Sequence, residues 1–470
     1  MLRGPFPSDR TKRPERRWRR AVACLAAAAM ALSPLPAGAQ QRTIIRDTEI
    51  EQLMRDYVAP ILKAAGIRSG SVKVVLIGDR SFNAFVADGR RIFINTGALI
   101  DSKTPNEVIG VLAHESGHIA GGHLARLREQ IANAQILSVV GMLFGAAALA
   151  GSAAAGSRVG NAGYGGAGVL AGSQELVKRN LLAYARGEEQ AADQAALRYL
   201  NATGQSPKGM LDTFRRFADE AIFRTASIDP YLQSHPMPQE RIANLEALAK
   251  QSPNYSRKDP PTLQARHDLM RAKLVGFTER PETVLRRYPP SDGSLAARYA
   301  RAISTYRSGR LMDAVAQIDG LIKEQPGNPY FWELKGQALL EGGRAREAVE
   351  PLRKAVSMAP SSALIRGMLG HALVATDNPA VMDEAIRELQ NATQREPDSA
   401  ENFRHLATAY ARKGNIAMAE LASAQYYFAQ GEWSAAATQA SRAQAKLPKG
   451  SPGWLKADDI LTYQPPKPQR

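Results

Sequence analysis

The sequence predicts a mostly α protein in two parts, an α+β domain holding a small β-sheet followed by an all-α solenoid. Three observations predict it. Apolar residues recur three and four apart through most of the chain, short β-branched runs between residues 72 and 94 flank a turn signal, and a 34-residue period sets in beyond residue 260. The expected divisions are a leader at 1–39, an α+β domain at 40–255, a solenoid at 256–464 and a disordered tail at 465–470, where Pro465-Pro466-Lys467-Pro468 cannot continue a helix.

The leader reads in three pieces. Residues 1–20 are Arg-rich, Ala21 to Leu32 is apolar, and Ser33-Pro34-Leu35-Pro36 precedes Ala37-Gly38-Ala39. That is the order of a secretory signal peptide, with Gln40 as the expected mature start. Twelve apolar residues are too few to span a bilayer, which needs about 20. Cys24, the only cysteine, lies in the leader, so the mature chain is expected to have no thiol, which suits an oxidising periplasm. The leader carries eight Lys/Arg and two Asp/Glu, so it supplies +6 of the formal +16 and leaves +10 for the rest. Past residue 20 these charges form no polybasic block. An acidic partner or an anionic membrane surface is therefore the expectation, and nucleic acid is not.

Thr43 to Ala65 carries Ile50, Leu53, Met54, Tyr57, Val58, Ile61 and Leu62 on one face, and Gly66 stops it, which predicts an amphipathic helix. Val72 to Ile77 is β-branched and predicts a strand. Asn83 to Ala87 and Arg91 to Ile94 flank Asp88-Gly89-Arg90, which predicts a hairpin. Thr104-Pro105-Asn106-Glu107 opens the next helix with an N-cap, a Pro at the first helical position and an acid three residues past the cap.

That helix contains His114-Glu115-Ser116-Gly117-His118. Residues four apart stack on one helical face, so the two imidazoles can grip one metal ion while Glu115 reaches a water beside it. Neutral imidazoles suit zinc, one ion of which is expected, and a third protein ligand leaves a position for water. A helix, a small sheet ending in an Asn83-Ala84-Phe85 strand, then the metal helix is the order of zincin peptidases. Their edge strand can pair with an extended peptide.

Residues 131–157 hold no charged residue, and a Gly-rich run follows to Gly172. A hairpin near the site, mobile or touching a membrane over 136–170, is expected in preference to a buried core helix. Leu181 to Leu200 reads as a helix carrying Arg186-Gly187-Glu188-Glu189 and Asp193. Glu189 and Asp193 share a face, and Glu188 points about 100° away. Glu189 completes a His-His-Glu set of the gluzincin type, with Asp193 orienting a ligand from behind. A metzincin would need a third His at position 124, which is Leu124. On a continuing helix His123 lies about 180° round from His114, which predicts that it faces away from the metal and is structural. Met210 to Phe223 is a further helix. Ser234-His235-Pro236-Met237-Pro238 is a rigid loop from which His235 can either hydrogen-bond an oxyanion or cap the open metal position.

With these residues assembled, 43–250 resembles the integral and periplasmic HExxH metallopeptidases of the HtpX, CAAX-prenyl-protease and BepA type. The signatures are Asn83-Ala84-Phe85, His114 to His118 running on to Gly122-His123, Arg186 to Asp193, and Ser234-His235-Pro236 with Arg241. The resemblance implies His114, His118 and Glu189 as zinc ligands, Glu115 as general base, and Arg186 beside Asp193 in support. It departs at Ala185, where the family often has Ser. The chain lacks the strong transmembrane helices of the membrane-bound members, so it is most similar to the exported, repeat-bearing BepA-like branch.

Pro326 and Pro360 lie 34 residues apart, with Trp332, Gly336, Leu339, Ala348, Leu352 and Ala355 at tetratricopeptide-repeat (TPR) positions. Pro397 follows after 37 residues, in phase once three residues are inserted near Asn378-Pro379. Looser copies run to Pro448, an earlier one holds Ala302, Ala314 and Ile318, and 262–290 reads as degenerate. Such repeats stack into a curved TPR solenoid that binds proteins. His371 and His405 fall within repeat helices as packing or surface residues. The expected function is an exported zinc endopeptidase acting on protein or peptide substrates, whose repeats bind those substrates or an assembly machine. By resemblance, its work is quality control and assembly of outer-membrane proteins. The alternative is a chaperone or scaffold acting through the repeats, with a latent or structural zinc site.

Overall fold

A computed structural model describes residues 43–68, 70–130, 185–223, 235 and 239–464. The expected leader, the apolar and Gly-rich stretch from 131 and the Pro-rich end lie outside the described residues.

Helix α1 (Thr48–Ala64) begins where Asp47 accepts a hydrogen bond from the Ile50 amide at 2.9 Å. It ends before Gly66, which takes a left-handed φ of 72°. Its apolar face from Ile50 to Leu62 is buried as the spacing predicts. The helix does not reach back to residue 43, because Asp47 caps it. Ile44–Ile45 instead form strand β1, pairing antiparallel with β2 (Lys73–Ile77).

The sheet runs in the order β1-β2-β4-β3, with β3 at Ala84–Val86 and β4 at Arg91–Asn95. The predicted hairpin is present, turning through Gly89 at φ 73°. It folds back so that β4 pairs parallel with β2 and β3 is left at the edge of the sheet among the described residues. A short helix α2 (Thr96–Asp101) follows and leads to α3 (Pro105–Gly121).

Helix α3 is the centre of the first half. Pro105 sits at its first turn, and Thr104 caps it by accepting from the Glu107 amide at 3.4 Å. Every residue from Pro105 to Gly117 is buried, because α1, strand β3 and helix α6 (Lys208–Phe223) pack around it. Close approach is built in: a Cβ at Gly110 would stand 2.6 Å from that of Met210 on α6. Helical residues 123–130 (α4) and 185–202 (α5) and helix α7 (Gln239–Lys250) complete this half.

The second half is a series of antiparallel helix pairs. They run Leu295–Arg307 with Leu311–Glu324, Pro329–Glu341 with Ala345–Met358, Ala363–Ala375 with Met382–Arg395, Ala400–Arg412 with Ile416–Ala429, and Trp433–Lys446 with Pro452–Thr462. Pro326, Pro360 and Pro397 each stand two residues past the end of a pair's second helix. The inserted residues near Asn378 form a 3-10 turn at Pro379–Val381. Gly336 and Gly370 do what the repeat asks of small residues, since a Cβ at either would meet Leu352 or Leu389 at 2.4 Å. The degenerate copy is α8 (Pro261–Thr278) with the short α9 (Pro281–Arg287). One apolar core runs unbroken from Ile50 on α1 to Ala338 in the repeats. Among the described residues no helix is long and apolar enough to cross a membrane.

Candidate metal centre

Helix α3 presents His114, Glu115 and His118 toward α5. The Nε2 atoms of His114 and His118 are 3.1 Å apart, and each lies 3.4 Å from an oxygen of Glu189. His235 brings its Nδ1 to 3.1 Å from both Glu189 oxygens and 3.4 Å from His114 Nε2. The four side chains offer donor atoms that all fall within 4.8 Å of one another. Tetrahedral zinc with bonds of about 2.0–2.1 Å separates its ligand atoms by about 3.3 Å, so the 3.1–3.4 Å spacing among His114, His118 and Glu189 fits the ion.

The outer hydrogen bonds make the same case. His114 Nδ1 lies 3.0 Å from Asp193 Oδ1, and a carboxylate only accepts, so His114 carries its proton there. His118 uses its Nδ1 toward His123, 2.9 Å away. Both Nε2 atoms therefore point into the same small space beside Glu189, where one shared cation would satisfy them.

Helix α5 supplies three carboxylates to this centre. Glu189 faces the histidines, Asp193 stands behind His114, and Glu188 lies 2.8 Å from His123 Nε2. From α7, Arg241 donates through Nε and Nη2 to both oxygens of Asp193 at 2.7 and 2.8 Å, with Nη1 2.8 Å from Glu189. The guanidinium thus fixes the ligand and the orienting acid together. Gly117 permits the helices to meet, since a Cβ there would stand 2.9 Å from the carbonyl oxygen of Ala192 on α5.

Burial lowers the His114 imidazole, but the hydrogen bonds to Asp193 and Glu189 outweigh it and raise it to about 9. Burial and the neighbouring His114 push His118 down to about 2. Burial also works against the Glu189 carboxylate, yet His235 and His114 hold it well below the ordinary carboxylate range. Glu115 is fully buried, neither of its oxygens is hydrogen-bonded, and burial pushes its carboxyl up. Its nearest basic neighbour is His235, with Nε2 at 3.5 Å. A carboxyl raised by burial beside a cation site suits proton transfer.

The structure brings together His114, Glu115, His118, Glu189, Asp193 and His235 as the sequence led one to expect. Asn83 is buried, its carbonyl accepts from the Asn95 amide at 2.8 Å, and Ala84 and Phe85 follow on edge strand β3, which packs against α3. Two readings need correction. Arg186 is exposed and makes no hydrogen bond or ion pair among the described residues; the supporting guanidinium is that of Arg241, which sits six positions after His235. His123 does not face away. Helix α3 stops at Gly122, in the left-handed region at φ 67°, so the 100° periodicity ends there and the chain turns the His123 ring back onto His118.

Residues 45–249 match Peptidase family M48, and residues 299–363 match a tetratricopeptide repeat. The chain is 26% identical over 415 residues to the beta-barrel assembly-enhancing protease of Yersinia pestis, covering 85% of this chain and 81% of the relative. It is 25% identical over 414 residues to the protein of that name from Escherichia coli K12, with the same coverage. A putative beta-barrel assembly-enhancing protease of Vibrio cholerae is 28% identical over 380 residues, covering 78% of this chain and 74% of the relative.

Proposed function

We propose that this metalloprotease, a family M48 peptidase domain followed by tetratricopeptide repeats, is a periplasmic zinc endopeptidase that acts in the quality control and assembly of outer-membrane proteins. The observation that carries the zinc reading is the convergence of His114, His118 and Glu189 at 3.1–3.4 Å, with His235 alongside and a buried Glu115. The setting rests on the names of the relatives and on the leader.

His114, His118 and Glu189 would hold the ion. When bound, zinc supplies Lewis acidity, lowering the pKa of water and polarising a carbonyl. Glu115 takes the proton of the attacking water and delivers it to the leaving amine, a task its burial suits. Asp193 and Arg241 keep His114 and Glu189 in their orientations. Strand β3, at the edge of the sheet among the described residues, would offer backbone along Ala84 to Val86 to an extended peptide. The repeats bind the substrate protein or the machinery that presents it.

His235 favours a qualification from the second reading, that of a chaperone or scaffold with a latent site. Its Nδ1 lies 3.1 Å from Glu189 and 3.4 Å from His114 Nε2, which supports a closed resting state in which His235 would cap the metal. Zinc content and casein cleavage, measured on the wild type and on Glu115→Gln, test the enzyme reading. The wild type should hold one zinc and cleave, and the variant should keep its zinc and lose cleavage. Equal cleavage by both, or a wild type without zinc, removes the peptidase reading. Glu115→Gln expressed in the cell envelope should trap substrate proteins. Full restoration of function in cells by that variant would favour the scaffold.

A further inference from the structure

We infer that Glu188, His123 and the ligand His118 form a hydrogen-bonded relay that holds His118 toward the metal, making His123 and Glu188 positioning residues of the zinc centre. The inference rests on the zinc reading above and deepens it. His114 has its own outer partner in Asp193, 3.0 Å from Nδ1. Among the described residues no carboxylate meets His118 Nδ1. What stands there is the His123 ring, its Nδ1 2.9 Å from His118 Nδ1, with Glu188 Oε2 2.8 Å from the far nitrogen of that ring.

Proton counting fixes the direction. A neutral imidazole has one donor nitrogen and one acceptor nitrogen. With Nε2 of His118 facing the metal, its Nδ1 must carry the proton and donate to His123 Nδ1. The His123 proton is then on Nε2, where it donates to the Glu188 carboxylate, which can only accept. Every polar atom on the line is satisfied by this one arrangement. Arg126 pins the far end, donating to both oxygens of Glu188 at 3.2 and 2.7 Å. His123 is buried, so water does not compete for its Nδ1.

The chain is shaped for this contact. Gly122, at φ 67°, ends α3 and reverses direction, and Gly121 leaves the space that the ring fills. A Cβ on Gly121 would stand 2.1 Å from His123 Nε2 and 2.3 Å from its Cδ2. Helix α5 thereby serves each histidine through a different acid, Asp193 for His114 directly and Glu188 for His118 through an inserted imidazole.

The test is zinc affinity, by competition with a chromophoric chelator, alongside the melting temperature of the metal-free protein. Outer partners of metal-bound histidines are typically worth about 10- to 100-fold in affinity. His123→Leu should weaken zinc binding by about that factor while the metal-free protein melts as the wild type does. His123→Asn, whose carbonyl oxygen replaces the Nδ1 acceptor, should restore binding to within a few-fold. Gly121→Ala, which keeps His123 but drives its ring away, should weaken zinc binding as His123→Leu does, and Glu188→Ala should weaken it by a smaller factor. The relay is overturned if His123→Leu binds zinc as the wild type does, or if Asn rescues no better than Leu. Should His123→Leu fail to fold, wild-type affinity in Gly121→Ala and Glu188→Ala overturns it instead. A wild type that binds no zinc removes the zinc reading itself, whereas a zinc-binding wild type with indifferent variants removes only the relay.

Discussion

The proposed acid-base group and metal ligands are single residues whose behaviour depends on the side chains that touch them. His235 is the sharpest case, because its Nδ1 lies 3.1 Å from Glu189 and its Nε2 3.5 Å from Glu115, so it stands between the proposed ligand and the proposed base. A side chain there at rest must leave before a peptide carbonyl can take its place. His235→Ala is therefore expected to raise casein hydrolysis several-fold, with zinc still held by His114, His118 and Glu189. Initial rates normalised to zinc content check this. A fall at full zinc occupancy would instead assign His235 to oxyanion stabilisation. The convergence of His114, His118 and Glu189 was legible in the sequence because helical spacing is rigid: four residues on α3 and four on α5 fix which side chains share a face. Arg241 and His123 were not legible in their roles. Arg241 reaches the site from a helix across the domain, and His123 does so through a chain reversal at Gly122 that helical extrapolation passes over.

At the scale of elements, the centre depends on how closely α3 and α5 approach. Gly117 lies between the two metal-helix histidines, and a Cβ on it would press on Ala192 at 2.9 Å to its carbonyl oxygen and 3.0 Å to its Cα. Both are backbone atoms, which cannot swing aside, so Gly117→Ala must push α5 away and carry Glu189 with it. We expect zinc affinity to drop about 10-fold or more, and overpacking to cost about 1–3 kcal/mol of stability. Gly320→Ala is the control: it lies on the repeat helix Leu311–Glu324 with nothing within 4 Å of its added Cβ. It should leave zinc binding unchanged and stabilise the helix by about 0.5–1 kcal/mol. Chelator competition and thermal melts on both variants decide the matter, and unchanged zinc affinity in Gly117→Ala would show that α5 has room to adjust. The helices and repeats were legible because long periodic segments repeat their signal several times. Strand β1 was not. Two residues carry no period, and Ile44–Ile45 continue the apolar spacing of α1 until Asp47 caps it.

Across the whole molecule, the start of α1 is where the peptidase half meets the repeats, and it does so through charge. Lys273 on α8 is buried 2.8 Å from Asp47 and 3.4 Å from Glu49. Tyr299 donates to Glu49 at 3.0 Å, Thr48 donates to Glu333 at 2.7 Å, and Arg46 reaches Glu396 at 2.5 Å. Three buried or half-buried acids thus share one buried lysine, and the balance falls on Glu333. Burial raises its carboxyl, Lys273 pulls it back, Asp47 and Glu49 raise it again, and the result is about 7. An acid whose folded pKa lies above its unfolded value binds its proton more tightly when folded. Between about 4.5 and 7 the folded chain therefore holds more protons at this site than the unfolded chain does, and stability falls as pH rises. Below that window Glu333 is protonated in both states and costs nothing; above it the full penalty applies, on the order of 3 kcal/mol. Glu333→Gln removes the titration while keeping an oxygen for Thr48. Its melting temperature relative to the wild type should climb from pH 5 to pH 8 and then level off. A difference that stays flat across this range would mean that Lys273 neutralises Glu333 fully, and that the junction between peptidase and repeats is indifferent to pH.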